Sequence, residues 1–155
     1  MISSDHPNLV QNNAEDIKSN HNSQFSILNS QLRKSERIVS QKLIDELFSK
    51  QGSQSLVAFP IRAVYRLSPP PTCSLSTLPQ MLISVPKRRF KHAVDRNRIK
   101  RQVREAYRKH KALLADRLSD GQQLSIAFIW LSDRHLPSAE VEARIVNLLK
   151  RIAER

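Results

Sequence analysis

Twelve Lys and Arg stand against two acids, Asp95 and Glu105, between Lys87 and Lys111, a local net charge of +10 in a chain whose formal total is +12. Charge of that density calls for a polyanion. Each Lys or Arg that meets a phosphate releases a condensed counterion, so affinity for nucleic acid should fall steeply with salt. Arg outnumbers Lys in the stretch, which suits planar, two-pronged contact with phosphates and guanine edges.

The stretch must be carried by an element that holds the cations on one side. Projected as a helix from Asn97, Ile99, Val103, Ala106 and His110 fall on one face; Asn97, Arg101, Arg104, Arg108 and Lys111 fall on the other. An apolar seam opposite a cationic ridge predicts a helix docked on a core with its charges outward. Neighbouring like charges repel by about a few tenths of a kcal/mol each, and a solvated face normally mixes Glu with Lys. A nuclear-localisation signal would not need the seam. A basic-region leucine zipper would need a sustained heptad, and Leu113, Leu114 and Leu118 do not continue into one.

Lys87-Arg88, Lys91, Ala93-Val94, Arg96-Asn97-Arg98, Lys100-Arg101 and Arg104-Glu105 resemble the RNR signature of the bacterial ribonuclease P protein component, in residue type and in spacing. The resemblance implies a single small α+β domain over 32–155. It would have a four-stranded sheet and three helices in the order αβββαβα, with an unusual left-handed βαβ crossover. It also implies a function. An RNA subunit using Mg²⁺ cleaves the 5′ leader from precursor tRNA, and the protein supplies no catalytic residue and holds no cofactor or metal of its own. The RNA-binding set it implies is Lys87, Arg88, Lys91, Arg96, Asn97, Arg98, Lys100, Arg101, Arg104 and Arg108. A separate leader cleft would be lined by Phe48, Tyr65 and Ser84. The implied partners are the catalytic RNA, one protein per RNA, and precursor tRNA.

The residues read on their own terms fit that layout. Met1 to Gln31 is rich in Asn, Ser and Gln and reads as a disordered extension. Arg33, Lys34 and Arg37 form a second basic cluster. Ser40 is a candidate N-cap for a helix to Lys50 with Leu43, Ile44, Leu47 and Phe48 on its apolar face. Ser55–Phe59 and Ile61–Leu67 read as strands broken by Pro60, the second alternating Ile61, Ala63, Tyr65 and Leu67 with Arg62, Val64 and Arg66. Phe48 and Tyr65 each have two readings, base stacking or core packing. Ser68–Pro79, with three consecutive prolines, is an exposed loop. Met81–Val85 is a short strand, Asp95 the candidate N-cap of a basic helix reaching Leu118, and Asp120-Gly121 its stop. Leu124–Leu131 is an apolar strand. Ser138 caps a last helix with Val141, Ile145, Leu148, Leu149 and Ile152 as its buried stripe. Ala93 and Val94 are expected to pack, Asn97 to hold the turn into the basic helix, and Glu105 to pair with Arg101 or Lys109.

Other classes fit poorly. The acid–His pairs Asp95–His92 and Asp133–His135 have no third partner, and clustered carboxylates for a protein-borne two-metal nuclease are lacking. One cysteine, Cys73, excludes an intramolecular disulfide and a Cys-based zinc cluster. No run approaches the ~20 apolar residues of a membrane span, and Met1–Asn22 lacks the features of a signal peptide. The expected compartment is the cytoplasm. The main rival is a non-enzymatic RNA-binding module, ribosomal or chaperone-like. A DNA-binding regulator would need a dimer seam, which the chain does not show.

Overall fold

The computed structural model describes residues 31–49, 51–69, 78–114 and 122–155. Seven elements follow one another: α1 (Gln41–Phe48), β1 (Ser53–Ala58), β2 (Ile61–Ser68), β3 (Gln80–Ser84), α2 (Ala93–His110), β4 (Gln123–Trp130) and α3 (Ser138–Ala153). This is the expected αβββαβα order. Short 3₁₀ turns at Lys34–Glu36 and Lys111–Leu114 precede α1 and extend α2. The strands form one mixed sheet in the order β1-β2-β4-β3, with β3 parallel to β4 and the other pairs antiparallel. No helix among the described residues is long and apolar enough to cross a membrane.

Side-chain alternation gives the sheet two unlike faces. Register places Leu56, Ala63, Phe128 and Ile83 in one cross-strand row and Gln54, Tyr65, Ile126 and Met81 in the next. These rows face α2 and α3 and make the main core, joined by Ile99, Val103, Ala106 and Tyr107 of α2. From α3 come Val141, Ile145, Leu148, Leu149 and Ile152, the full predicted stripe, all buried. Burying each such aliphatic side chain is worth about 1.5–3 kcal/mol, so this stripe is what fixes α3 on the sheet. The opposite face carries a smaller cluster of Ile38, Leu47, Val64 and Ala127, and among the described residues the eight-residue α1 is the helix that covers it.

Several sequence expectations change in detail. α2 begins at Ala93 with His92 at the N-cap; Asp95 lies within its first turn. The seam closes with Tyr107, while His110 is half-buried and bonded to Glu142. Pro137, one residue before Ser138, is the N-cap of α3, and α1 stops at Phe48. Ala93 and Val94 are exposed, Val94 at 79%. Leu118, Asp120-Gly121, Cys73, Pro70 and Pro71 lie outside the described residues.

The largest departure concerns Lys111, expected on the solvent ridge. It is fully buried, and its Nζ donates to Glu36 Oε1 at 2.6 Å, Glu36 being fully buried too. The second oxygen of Glu36 accepts the Arg33 backbone N–H at 2.6 Å. Removing one member of a buried pair strands the other charge, at about 3–5 kcal/mol, whereas replacing both with apolar residues is often neutral. Lys111→Met is therefore expected to lower unfolding free energy by about 3 kcal/mol. Adding Glu36→Leu should restore most of that loss in urea unfolding.

Candidate nucleic-acid interface

The cationic ridge starts from a turn that is held together by its own members. Pro86 ends β3, and its carbonyl accepts the N–H groups of Arg89 and Phe90. Phe90 is buried and packs against the His135 ring, centroids 4.8 Å apart. His135 Nε2 lies 3.1 Å from Asp95 Oδ1. The two acid–His candidates thus resolve into one contact between residues 40 apart in sequence, with His92 and Asp133 outside it. Arg96 Nη1 donates to the carbonyls of Phe90 (2.8 Å) and Lys91 (2.7 Å). Arg96, not Asn97, therefore holds the turn; Asn97 is exposed. Gln102 Nε2 ties the helix to the loop before α3 through the Leu136 carbonyl (3.1 Å) and Ser138 Oγ (3.0 Å).

Counter-charge divides α2 into two parts. In its last turn and just beyond, every Lys and Arg has an acid, and His110 shares one of them. Arg108 meets Glu105 in a two-pronged contact (2.9 and 2.7 Å), Lys109 and His110 share Glu142 (3.3 and 2.7 Å), and Lys111 holds Glu36. Hydrogen bonding to Arg108 holds the Glu105 carboxyl below the usual carboxylate range, and His110 and Lys109 do the same for Glu142. Glu105 pairs with Arg108, in place of the expected Arg101 or Lys109. None of the ion pairs among the described residues involves a Lys or Arg between Lys87 and Arg104. Of these, Lys87, Arg88, Arg89, Lys91, Arg98 and Arg101 are exposed, and Arg96, Lys100 and Arg104 are half-exposed.

Arg37, from the segment before α1, joins this ridge. Partial burial and the charges of Arg37 and Arg101 lower the pKa of Arg104, so three guanidiniums sit close enough to repel. An anion there would relieve both the repulsion and the desolvation. The sequence showed Arg37 as part of a basic cluster but gave no sign that it would face Arg104.

The second feature is a cavity of about 290 Å³ on the sheet face that α1 half covers. Phe48, the last residue of α1 and 46% exposed, forms one side. Arg62, Val64 and Ile129 come from the sheet, and Ser49, Ser53 and Ser55 from the rim. Ser84 lies on this face, in register with Ile129, Arg62 and Val57, and is half-buried just beyond the cavity lining. Tyr65 lies on the other face. It is 2% exposed within the main core, its hydroxyl donating to Gln54 Oε1 at 2.5 Å. Strand parity is the reason: with Arg62 and Arg66 on one side, Tyr65 falls on the other. The same parity puts Arg62 and Val64 on the cavity side. Among the described residues, no three His, Cys, Asp or Glu converge as a metal site.

The ribonuclease P family model matches residues 32–153. The ribonuclease P protein component of Porphyromonas gingivalis is 42% identical over 123 residues, 79% of this chain and 86% of that protein. The one from Chlorobium phaeobacteroides is 32% identical over 125 residues, 76% of this chain and 84% of that protein. Among solved structures, the RNase P protein of Staphylococcus aureus aligns with a TM-score of 0.59 at 20% identity, covering 77% of this chain and 96% of that one. The RNase P protein from Thermotoga maritima gives 0.53 at 22% identity, covering 79% and 96%.

The division of charge along α2 has a measurable consequence. For a structured RNA, Arg101→Ala should reduce the slope of log affinity against log salt by about one. Arg108→Ala should reduce it less, because Glu105 already neutralises Arg108, and Glu105→Gln should steepen it. Filter binding across about 50–200 mM salt checks all three.

Proposed function

The chain belongs to the ribonuclease P protein family, and from that premise we propose that it binds the catalytic RNA through the cationic face of α2 and the 5′ leader of precursor tRNA through the α1 cleft. The RNA subunit, using Mg²⁺, then removes the leader to make the mature 5′ end. One protein serves one RNA. The observation that carries this reading is the run of cations from Lys87 to Arg104 that meets no protein carboxylate among the described residues.

The proposed division of labour follows from the two chemistries. Arg98, Lys100, Arg101 and Arg104, with Arg37 beside them and Lys87, Arg88 and Lys91 at the entrance, neutralise phosphates of a folded RNA. Arg96 spends one guanidinium nitrogen on the turn, so it fixes the geometry of its neighbours as well as adding charge. Neutralising phosphates with protein cations lowers the Mg²⁺ needed to offset RNA self-repulsion. The cleft handles a different substrate part. A single-stranded leader exposes base faces, and Phe48 offers a half-exposed ring on which one can stack.

Cleavage of a 5′-extended precursor tRNA at low Mg²⁺ tests the whole reading. Accurate cleavage is expected with RNA and protein together, and not with either alone. Activity of the RNA alone that matches the mixture would reject the Mg²⁺ argument, and cleavage by the protein alone would reject the assignment of chemistry to the RNA. Base stacking is worth about 1–3 kcal/mol, so Phe48→Ala should weaken precursor binding about tenfold and leave mature tRNA binding unchanged. Tyr65→Ala, by contrast, should cost folding stability, about 3 kcal/mol for a buried aromatic ring, read from thermal or urea unfolding.

A further inference from the structure

Asp95 is the one acid in the sequence between Lys87 and Arg104. It sits in the first turn of α2, where a carboxylate suits the positive end of the helix. It also stands three residues before Arg98, an exposed cation of the ridge with no ion pair among the described residues. Residues at that spacing are neighbours on a helix surface. The same helix shows what an acid in that place does when nothing else holds it. Glu105, three residues before Arg108, takes its arginine in a two-pronged contact at 2.9 and 2.7 Å. Asp95 does not take Arg98.

His135 is what holds Asp95 elsewhere. Its Nδ1 is buried with no hydrogen-bond partner among the described residues, so the ring proton belongs on Nε2, which donates to Asp95 Oδ1 at 3.1 Å. The ring is itself fixed on two sides. Buried Phe90 packs against it, centroids 4.8 Å apart and planes at 43°. The next residue, Leu136, packs on the main core, and its carbonyl accepts Gln102 Nε2 at 3.1 Å. Gln102 lies two turns along α2 from Asp95, on the same flank, and Arg98 lies one turn from each.

The His135–Asp95 contact is not needed to dock the loop before α3. Gln102 does that through Leu136 and Ser138 (3.1 and 3.0 Å), and Phe90 adds its ring. What the contact decides is where the carboxylate points. A carboxylate and a phosphate compete for the same guanidinium fork, so an Asp95 turned to Arg98 would take one phosphate ligand out of the ridge. We infer that His135 is a positioning residue for RNA recognition, which holds the Asp95 carboxylate off Arg98 and leaves that guanidinium to a phosphate of the catalytic RNA. The inference rests on the reading above that the α2 face binds that RNA. It explains how the helix keeps an acid at its N-terminus without losing a cation from its ridge.

The test is filter binding of a bacterial ribonuclease P RNA to the full-length protein between about 50 and 200 mM salt. His135→Phe keeps an aromatic ring against Phe90 and cannot donate to Asp95. Its slope of log affinity against log salt should fall by about one, the equivalent of one phosphate contact. Adding Asp95→Asn should return the slope to the native value, because no carboxylate is left to occupy Arg98. His135→Gln, whose amide can donate where Nε2 does, should stay near the native slope. In an Arg98→Ala background, His135→Phe should cost nothing further. His135→Leu, also without a donor, carries the same expectations where the larger ring shifts the urea unfolding curve.

A native slope in the donor-less variants overturns the inference. So does a loss that Asp95→Asn fails to repair, or one that adds in full to the loss from Arg98→Ala, since either shows that His135 only braces the loop. Arg101→Ala separates this from the parent reading. If Arg101→Ala and Arg98→Ala lower the slope and His135→Phe does not, the α2 face binds RNA and the role of His135 falls alone. If neither arginine variant changes the slope, both fall.

Discussion

The buried contact between Glu36 and Lys111 is the constraint on which both surfaces depend. Two opposite charges, 75 residues apart in sequence, lie out of water at 2.6 Å. Isolated, either would be costly to bury. Together, with the Arg33 N–H on the free oxygen of Glu36, they lock the segment before α1 against the end of α2. Tyr107 lies close by in the core, its phenol pushed up first by burial and then by the Glu36 charge, which keeps it neutral. From this anchor, the segment runs on to Arg37, beside Arg104. Ile38 follows, its N–H donating to the Met81 carbonyl and its side chain in the cluster under α1. One ion pair thus sets a cation on the ridge and the entry to the helix that walls the cleft.

The placement of acids explains how a helix this basic can fold before it meets RNA. Repulsion along the ridge is weak per pair, and the buried seam of Ile99, Val103, Ala106 and Tyr107 outweighs it at about 1.5–3 kcal/mol for each large side chain. Protein carboxylates are then set where the helix must dock, at Arg108, Lys109, His110 and Lys111. They are withheld from Lys87 to Arg104. A Glu every fourth residue along the whole helix would stabilise it alone, at the expense of the charge that a phosphate surface requires.

Much of this was legible because periodicity records which side of an element is wet. The α3 stripe from Val141 to Ile152, the seam residues Ile99, Val103 and Ala106, and the four strands all follow from spacing. The failures share a cause. Glu36 sits in a basic cluster and Lys111 in a charge run, so composition places both in solvent; only a contact across 75 residues makes burial tolerable, and a single sequence does not record contacts. Arg37 beside Arg104 has the same origin. Tyr65 is different, because its alternation with Arg62 and Arg66 already put it in the core. A preference for aromatic residues as base-stackers competed with parity, and parity was the better guide.

The cleft exists because α1 is stopped early. Ser49 returns its N–H and hydroxyl to the Glu46 carbonyl (3.3 and 2.7 Å), and Arg66 Nη1 reaches the same oxygen from β2 (3.0 Å). An oxygen engaged in this way closes the last turn and turns the chain toward Gly52, whose φ of +79° suits a residue without Cβ. Phe48 is left as the terminal residue of the helix, half in solvent. Beyond it, in the row of Val57, Arg62, Ile129 and Ser84, the first two are exposed and the last two half-buried among the described residues. A helix one or two turns longer could reach over that row and complete an ordinary two-faced core. Arg66 therefore has a role distinct from that of Arg62 on the same strand face: one arginine ends the helix that opens the cleft, and the other stands inside it.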